Sequence, residues 1–387
     1  MVSDRAYLRG ARQGAGLTRL EAEVARIGGI LGAGTTRVEP AVLQPAEVLL
    51  DLYGEDIRAR AFVTRDDEAE MMLRPDFTVP IVQLHMEGGA EPAAYSYCGP
   101  VWRRQAAGSG RPREYLQAGI EFFGGADPAE REAEVLLRIL AALGPAPVDL
   151  VTGDMGLVLA AVDSLATTPA RRAALRRHVW RPGRFQVMLA RYGREQAAVT
   201  AGRAEILRAE AAGRVPELIA AAGSVVGLRD TEEVAARIAR LAEEAGTPPL
   251  DPGAVAALEA LLALRGRATG AVADLRAIAR DLGGLARAVD RLERRLEVFA
   301  ARGIPVEALG FEASFGRTSL EYYDGFVFGA LARGRTDLPT IASGGRYDTL
   351  TGVLGQGRRL PAVGGIVRPE ALLALVLGQE EEAQACG

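Results

Sequence analysis

The stretch Tyr95 to Gly124, YSYCGPVWRRQAAGSGRPREYLQAGIEFFG, constrains the rest of the chain more than any other. It reads as two strands, Tyr95 to Arg103 and Arg113 to Phe123. The loop between them, Gln105 to Pro112, carries Gly108, Gly110 and Pro112. Strand side chains alternate with period two. Leu116, Ala118, Ile120 and Phe122 therefore share one face, and Arg113, Tyr115, Gln117, Gly119 and Glu121 the other. The first face is core. If the second is concave and buried, Glu121 and Arg103 need partners, because unpaired buried charge is costly. A ligand carrying both an ammonium and a carboxylate satisfies both. A solvated antiparallel face with cross-strand ion pairs is the other reading these residues leave open.

The 387 residues suffice for two domains and a large core. Net charge is −4, so nothing global points to nucleic acid. No apolar run is long enough to span a membrane, and the first residues lack the apolar segment of a signal peptide. Cys98 and Cys386 make no disulfide framework, so the cytoplasm is the expected compartment. Every basic residue is arginine, which excludes a P-loop lysine and Schiff-base chemistry. His85 and His178 show no zinc-site spacing, and no metal or cofactor is expected. His85, among apolar residues, reads as a packing residue.

A helix is expected over Leu17 to Leu31, then a short strand Thr36 to Leu43 with Pro40 inside it, at an edge or interface. Phe62 to Leu73 reads as a hairpin. Thr78 is expected to cap a following helix, and Asp76 beside it sits where ligands commonly bind. Asp127 and Pro128 open a helix to Leu143. From Thr167 to Arg302 the composition turns to alanine, leucine, arginine and glutamate and strands disappear, so this is a helical block whose arginines read as solvated faces. Strands return at Leu309 to Phe315, Leu320 to Ala330, Ile341 to Ser343 and Ala362 to Val367, followed by a helix Pro369 to Leu377 and an acidic tail expected to lack structure. The expected domains are a discontinuous core (1–165 and 303–378), a helical insertion (166–302) and the tail (379–387). The fold class is α+β, a mostly antiparallel mixed sheet flanked by helices.

LRPDFT at Leu73 to Thr78, the hairpin above, LEYYDGFVF at Leu320 to Phe328, and GGRYDTL through LPAVGGI at Gly344 to Ile366 occur in one order. Together they resemble the catalytic domain of histidyl-tRNA synthetase, a class II aminoacyl-tRNA synthetase fold, over nearly the whole chain. The resemblance implies a homodimer interface near Pro40. It also implies histidine-binding positions at Asp76, Thr78, Arg103, Gln117, Glu121, Tyr323 and Tyr347. The ATP-side positions depart from the pattern. The arginine before the aromatic strand is Thr318, with Arg317 one residue off, which turns a strand side chain to the other face. The arginine of the last motif is Ala371, its glycine is Arg368, and the adenine-contacting glutamate is Gln105. An anticodon-binding domain is expected to be absent.

Adenylyl transfer depends on positioned cations, so loss of two arginines predicts loss of adenylation. The pattern resembles the family of ATP phosphoribosyltransferase regulatory subunits. That implies no catalytic residue of its own and a short-form catalytic partner that joins ATP to phosphoribosyl pyrophosphate, the first step of histidine biosynthesis. It further implies feedback inhibition by L-histidine and a hetero-octamer with dimers of this chain at its core, with neither tRNA nor membrane as partner. The alternative is a truncated synthetase-like enzyme that still activates an amino acid with ATP; a scaffold without ligand is a third reading.

Overall fold

The computed structural model describes residues 14–47, 61–65, 67–106, 108–109, 111–194, 200–223, 230–317 and 322–386, with side chains to residue 378. Twelve strands are described: β1 Thr36–Arg37, β2 Leu43–Pro45, β3 Val63–Arg65, β4 Glu70–Leu73, β5 Ala93–Trp102, β6 Glu114–Phe123, β7 Val148–Asp154, β8 Arg265–Arg267, β9 Gly310–Glu312, β10 Phe326–Ala332, β11 Ala342–Arg346 and β12 Ala362–Val367. Nine of them form one sheet in the order β1-β5-β6-β12-β11-β10-β7-β9-β8. The pairs β1–β5 and β7–β9 are parallel and the others antiparallel. The remaining three form a small sheet, β2-β4-β3, which contains the expected Phe62–Leu73 hairpin.

The hairpin β5–β6 lies in the large sheet with ten residues paired from Ala93↔Phe123 to Trp102↔Glu114. The helix Pro128–Leu143 packs on β12 through Val135 and Ile139 and lays Arg131 and Arg138 over the Phe122 ring of β6; Asp127 caps it by accepting from the Ala129 amide at 2.9 Å. The first helix, Ala15–Gly32, buries Leu20, Ile27 and Leu31.

Several expectations are corrected. Thr36 to Leu43 is not one strand: β1 and β2 belong to different sheets and Pro40 lies between them, since proline has no amide to donate to a ladder. The aromatic strand begins at Phe326, not Leu320, and Tyr322 and Tyr323 precede it in a loop. The helical block is interrupted by β8, whose arginines and glycine carry no strand signal and which pairs only at the sheet's end. The helix Ala286–Ala301, expected in the insertion, packs on the core through Arg295. Arg171, read as solvated, is buried: it pairs with Glu244 at 2.9 Å and donates to the Pro248 carbonyl at 2.7 Å. The last helix continues to Cys386 rather than giving way to an unstructured tail. Thr318, the position of the missing arginine, lies outside the described residues, as does the start of the segment Leu320 to Phe328.

A buried ionic network holds the core strands to these helices. Glu132 accepts from Arg295 and from Arg346, each at 2.5 Å; Arg295 also reaches Asp154 at 2.8 Å, and Arg346 reaches Asp348 at 3.0 Å. Although burial opposes its charge, the two arginines hold the Glu132 carboxyl below the usual carboxylate range.

Candidate functional site

Register builds the site. Glu121 on β6 pairs with Tyr95 on β5 and with Gly364 on β12, and Gly364 in turn pairs with Gly345 on β11. Directly opposed residues share a sheet face. Across this row the strands offer glycine where a side chain would stand. A Cβ at Gly364 would overlap the Glu121 carboxylate, and one at Gly345 would meet the Tyr323 ring at 2.8 Å. The missing side chains leave a cavity of about 690 Å³ over the sheet, within the range of roughly 300–1,000 Å³ usual for small-molecule sites.

All seven residues singled out from the sequence line it: Asp76, Thr78, Arg103, Gln117, Glu121, Tyr323 and Tyr347. Thr78 does so by a route other than the expected cap. The cap position is Phe77, and Thr78, in the first turn of the helix Thr78–Met86, donates its hydroxyl to Glu121 Oε1 at 2.8 Å. Asp76 accepts from the Val79 amide at 3.4 Å.

Glu121 is 1% exposed and accepts three hydroxyls: Thr78, Tyr97 at 3.0 Å, and Tyr347 on its other oxygen. Burial lifts its pKa to about 7, the three donors pull it back, and nearby Asp76 adds to the rise. The Tyr97, Tyr323 and Tyr347 phenols are all pushed up by burial and by the adjacent Glu121 charge. Gln117 is 1% exposed and its Oε1 has no hydrogen-bond partner, an acceptor awaiting a donor.

Cations line the same cavity. Arg103 is anchored by donating from Nε to the Pro75 carbonyl at 2.8 Å. Arg368 lines the cavity, donates to the Thr340 carbonyl and lies over the Tyr115 ring at 6.0 Å; burial, with Arg103 nearby, lowers its pKa. Carboxylates, guanidinium groups and an unpaired amide oxygen around one cavity suit a zwitterion with an extra hydrogen-bonding group.

Sequence reasoning missed Tyr97 and Arg368. Tyr97 was legible: it faces Gly119 in the hairpin register, and a Cβ at Gly119 would overlap its ring. Arg368 carried no signal, because it follows β12 where its role depends on β6 alongside. Ala371 presents no cation; it is buried in the first turn of the last helix, where Glu370 accepts from the Leu116 amide at 2.9 Å. His85 is the packing residue expected, buried and stacked on Phe123 at 4.1 Å. Among the described residues no cluster of His, Cys, Asp and Glu suits a metal ion, and no helix is long and apolar enough to cross a membrane.

A family model for histidyl-tRNA synthetase matches residues 30–248 and 235–372. The ATP phosphoribosyltransferase regulatory subunit of Mesorhizobium japonicum is 33% identical, the alignment covering 92% of this chain and 98% of the relative. The chain belongs to the histidyl-tRNA synthetase-like family of ATP phosphoribosyltransferase regulatory subunits. The regulatory subunit of Brucella canis is 32% identical over 87% of this chain and 92% of its own. Solved structures agree on the class II synthetase-like fold of this family. A Bacillus halodurans protein described as ATP phosphoribosyltransferase regulatory subunit/histidyl-tRNA synthetase matches with TM-score 0.65 at 20% identity, covering 97% of this chain and 83% of that one. A histidine–tRNA ligase subunit of Alicyclobacillus acidocaldarius matches with TM-score 0.58 at 23% identity, covering 97% and 98%.

Proposed function

We propose that this chain is the regulatory subunit of an ATP phosphoribosyltransferase, binds L-histidine in the cavity, and performs no adenylation. Its partner is the short-form catalytic subunit, which it activates for the first step of histidine biosynthesis in the cytoplasm. Dimers of this chain form the core of a hetero-octamer, without tRNA or a membrane. The observation that carries the reading is the cavity itself. Glu121, Gln117, Tyr323, Tyr347, Asp76 and Arg103 line it together; in this reading the first four take the imidazole, Asp76 the ammonium and Arg103 the carboxylate. The naming of the relatives supports the partner. Histidine inhibits through a coupling free energy between this cavity and the partner's active site.

The test is the rate of the short-form catalytic subunit with and without this chain, over a range of L-histidine concentrations. Activation by this chain and histidine sensitivity in its presence are expected. A partner whose rate and histidine response ignore this chain would falsify the reading. Arg103 and Arg368 keep a second reading, amino-acid activation with ATP, in view. ATP–pyrophosphate exchange at saturating histidine separates the two: a sensor binds without exchange.

A further inference from the structure

Arg317 sits at the join between the sheet and the helical insertion. It lines the cavity and is 6% exposed. Its Nε donates to the Val179 carbonyl at 2.7 Å, and its guanidinium lies over the Phe185 ring at 4.9 Å. Both belong to the insertion, Phe185 to the helix Pro182–Tyr192, whose Pro182 also lines the cavity. Its Nη2 is buried without a hydrogen-bond partner. Burial alone draws its pKa down to about 10. A buried guanidinium held by one neutral carbonyl and a ring is poorly compensated, and an anion beside it relieves that cost. A carboxylate is also a stronger acceptor for it than a peptide carbonyl.

Resting on the reading of the cavity as a histidine site, we propose that Arg317 links ligand to insertion: it exchanges the Val179 carbonyl for the carboxylate of the bound amino acid. The imidazole and ammonium sit toward Glu121 and Asp76, and the carboxylate reaches Arg317. The insertion loses its hold on Arg317 when the cavity fills, so occupancy of a buried site is expressed at a distant helical surface. This makes Arg317 a specificity-determining residue for the carboxylate and gives the insertion a part in transmission.

Trp180 reports the event, being next to Val179, with its indole nitrogen buried and without a hydrogen-bond partner. The chain has 2 tryptophans, so Trp102→Phe leaves Trp180 alone. L-Histidine and histamine, which lacks the carboxylate, are titrated into this protein by calorimetry and by fluorescence. L-Histidine is expected to shift Trp180 emission, and histamine to bind without shifting it. Arg317→Gln should weaken L-histidine by on the order of ten- to a hundredfold, leave histamine within about twofold, and silence the emission change. Equal loss for both ligands, or no loss for L-histidine, overturns the proposal. So does a Trp180 shift with histamine equal to that with L-histidine, a comparison that needs no Arg317 variant to fold. If L-histidine does not bind the parent protein by calorimetry, the underlying histidine reading falls instead, and this proposal with it.

Discussion

Replacing Glu121 with glutamine isolates the electrostatic cost of the cavity. Burial places this carboxyl at about 7 in the folded chain, against an ordinary value of about 4.3. The folded protein therefore retains a proton that the unfolded chain has released. Stability tied to this group is present at low pH and is lost as pH rises from about 4.5 to about 7. At ~1.4 kcal/mol per unit, the full penalty above that window is ~3.5 kcal/mol. Glutamine keeps the shape and removes the charge. Its amide forces one of the Thr78, Tyr97 or Tyr347 hydroxyls to turn from donor to acceptor, an offset of about 1 kcal/mol. That offset does not depend on pH, so the pH dependence of the difference is the clean quantity. In urea denaturation without ligand, Glu121→Gln should gain on the parent protein by about 2–3 kcal/mol between about pH 5 and about pH 8. Calorimetry on the same variant should show histidine binding lost. A stability difference that stays level across this range refutes the electrostatic reading.

Glu132→Gln leaves buried Arg295 and Arg346 short of their shared carboxylate and should cost about 3–5 kcal/mol, read from the urea midpoint. Gly364→Ala places a methyl against the Glu121 carboxylate. Histidine binding by calorimetry should fall below detection, with a stability loss of about 1–3 kcal/mol by thermal melt. Tyr347→Phe removes one donor to Glu121, so its carboxyl should titrate higher than in the parent, measured by carbon NMR of the side chain.

Much of the site was legible because its residues lie on strands whose period is two. Gln117 and Glu121 stand on one face of β6 whatever the rest of the fold does. The glycines near 344 and 364 were visible as places of close approach, but not their shared row, which needs the β6–β12–β11 register. Thr78 was picked for the wrong local reason: capping is read from neighbours in sequence, whereas its hydroxyl bonds a carboxylate 43 residues away. β8 was missed because Arg265, Gly266 and Arg267 have no strand propensity, and they pair because β9 lies beside them. The strand boundary at Phe326 was misplaced by the aromatic run ahead of it, since Tyr322 and Tyr323 are β-favouring but stand in the loop that walls the cavity.

The chain by itself determined the central hairpin, the face that carries Gln117 and Glu121, the capped helix after it and the family, because alternation, capping and motif order are local or collinear properties. Tertiary structure alone decided which distant residues complete the site. Arg368 and Arg317 reach the cavity from beyond the end of β12 and from the turn after β9, and Arg317 is held there by the helical insertion. It also decided the chemistry of Glu121, since a carboxyl is moved from its ordinary value by burial and by hydroxyls arriving from three other parts of the chain, none of which its own strand specifies.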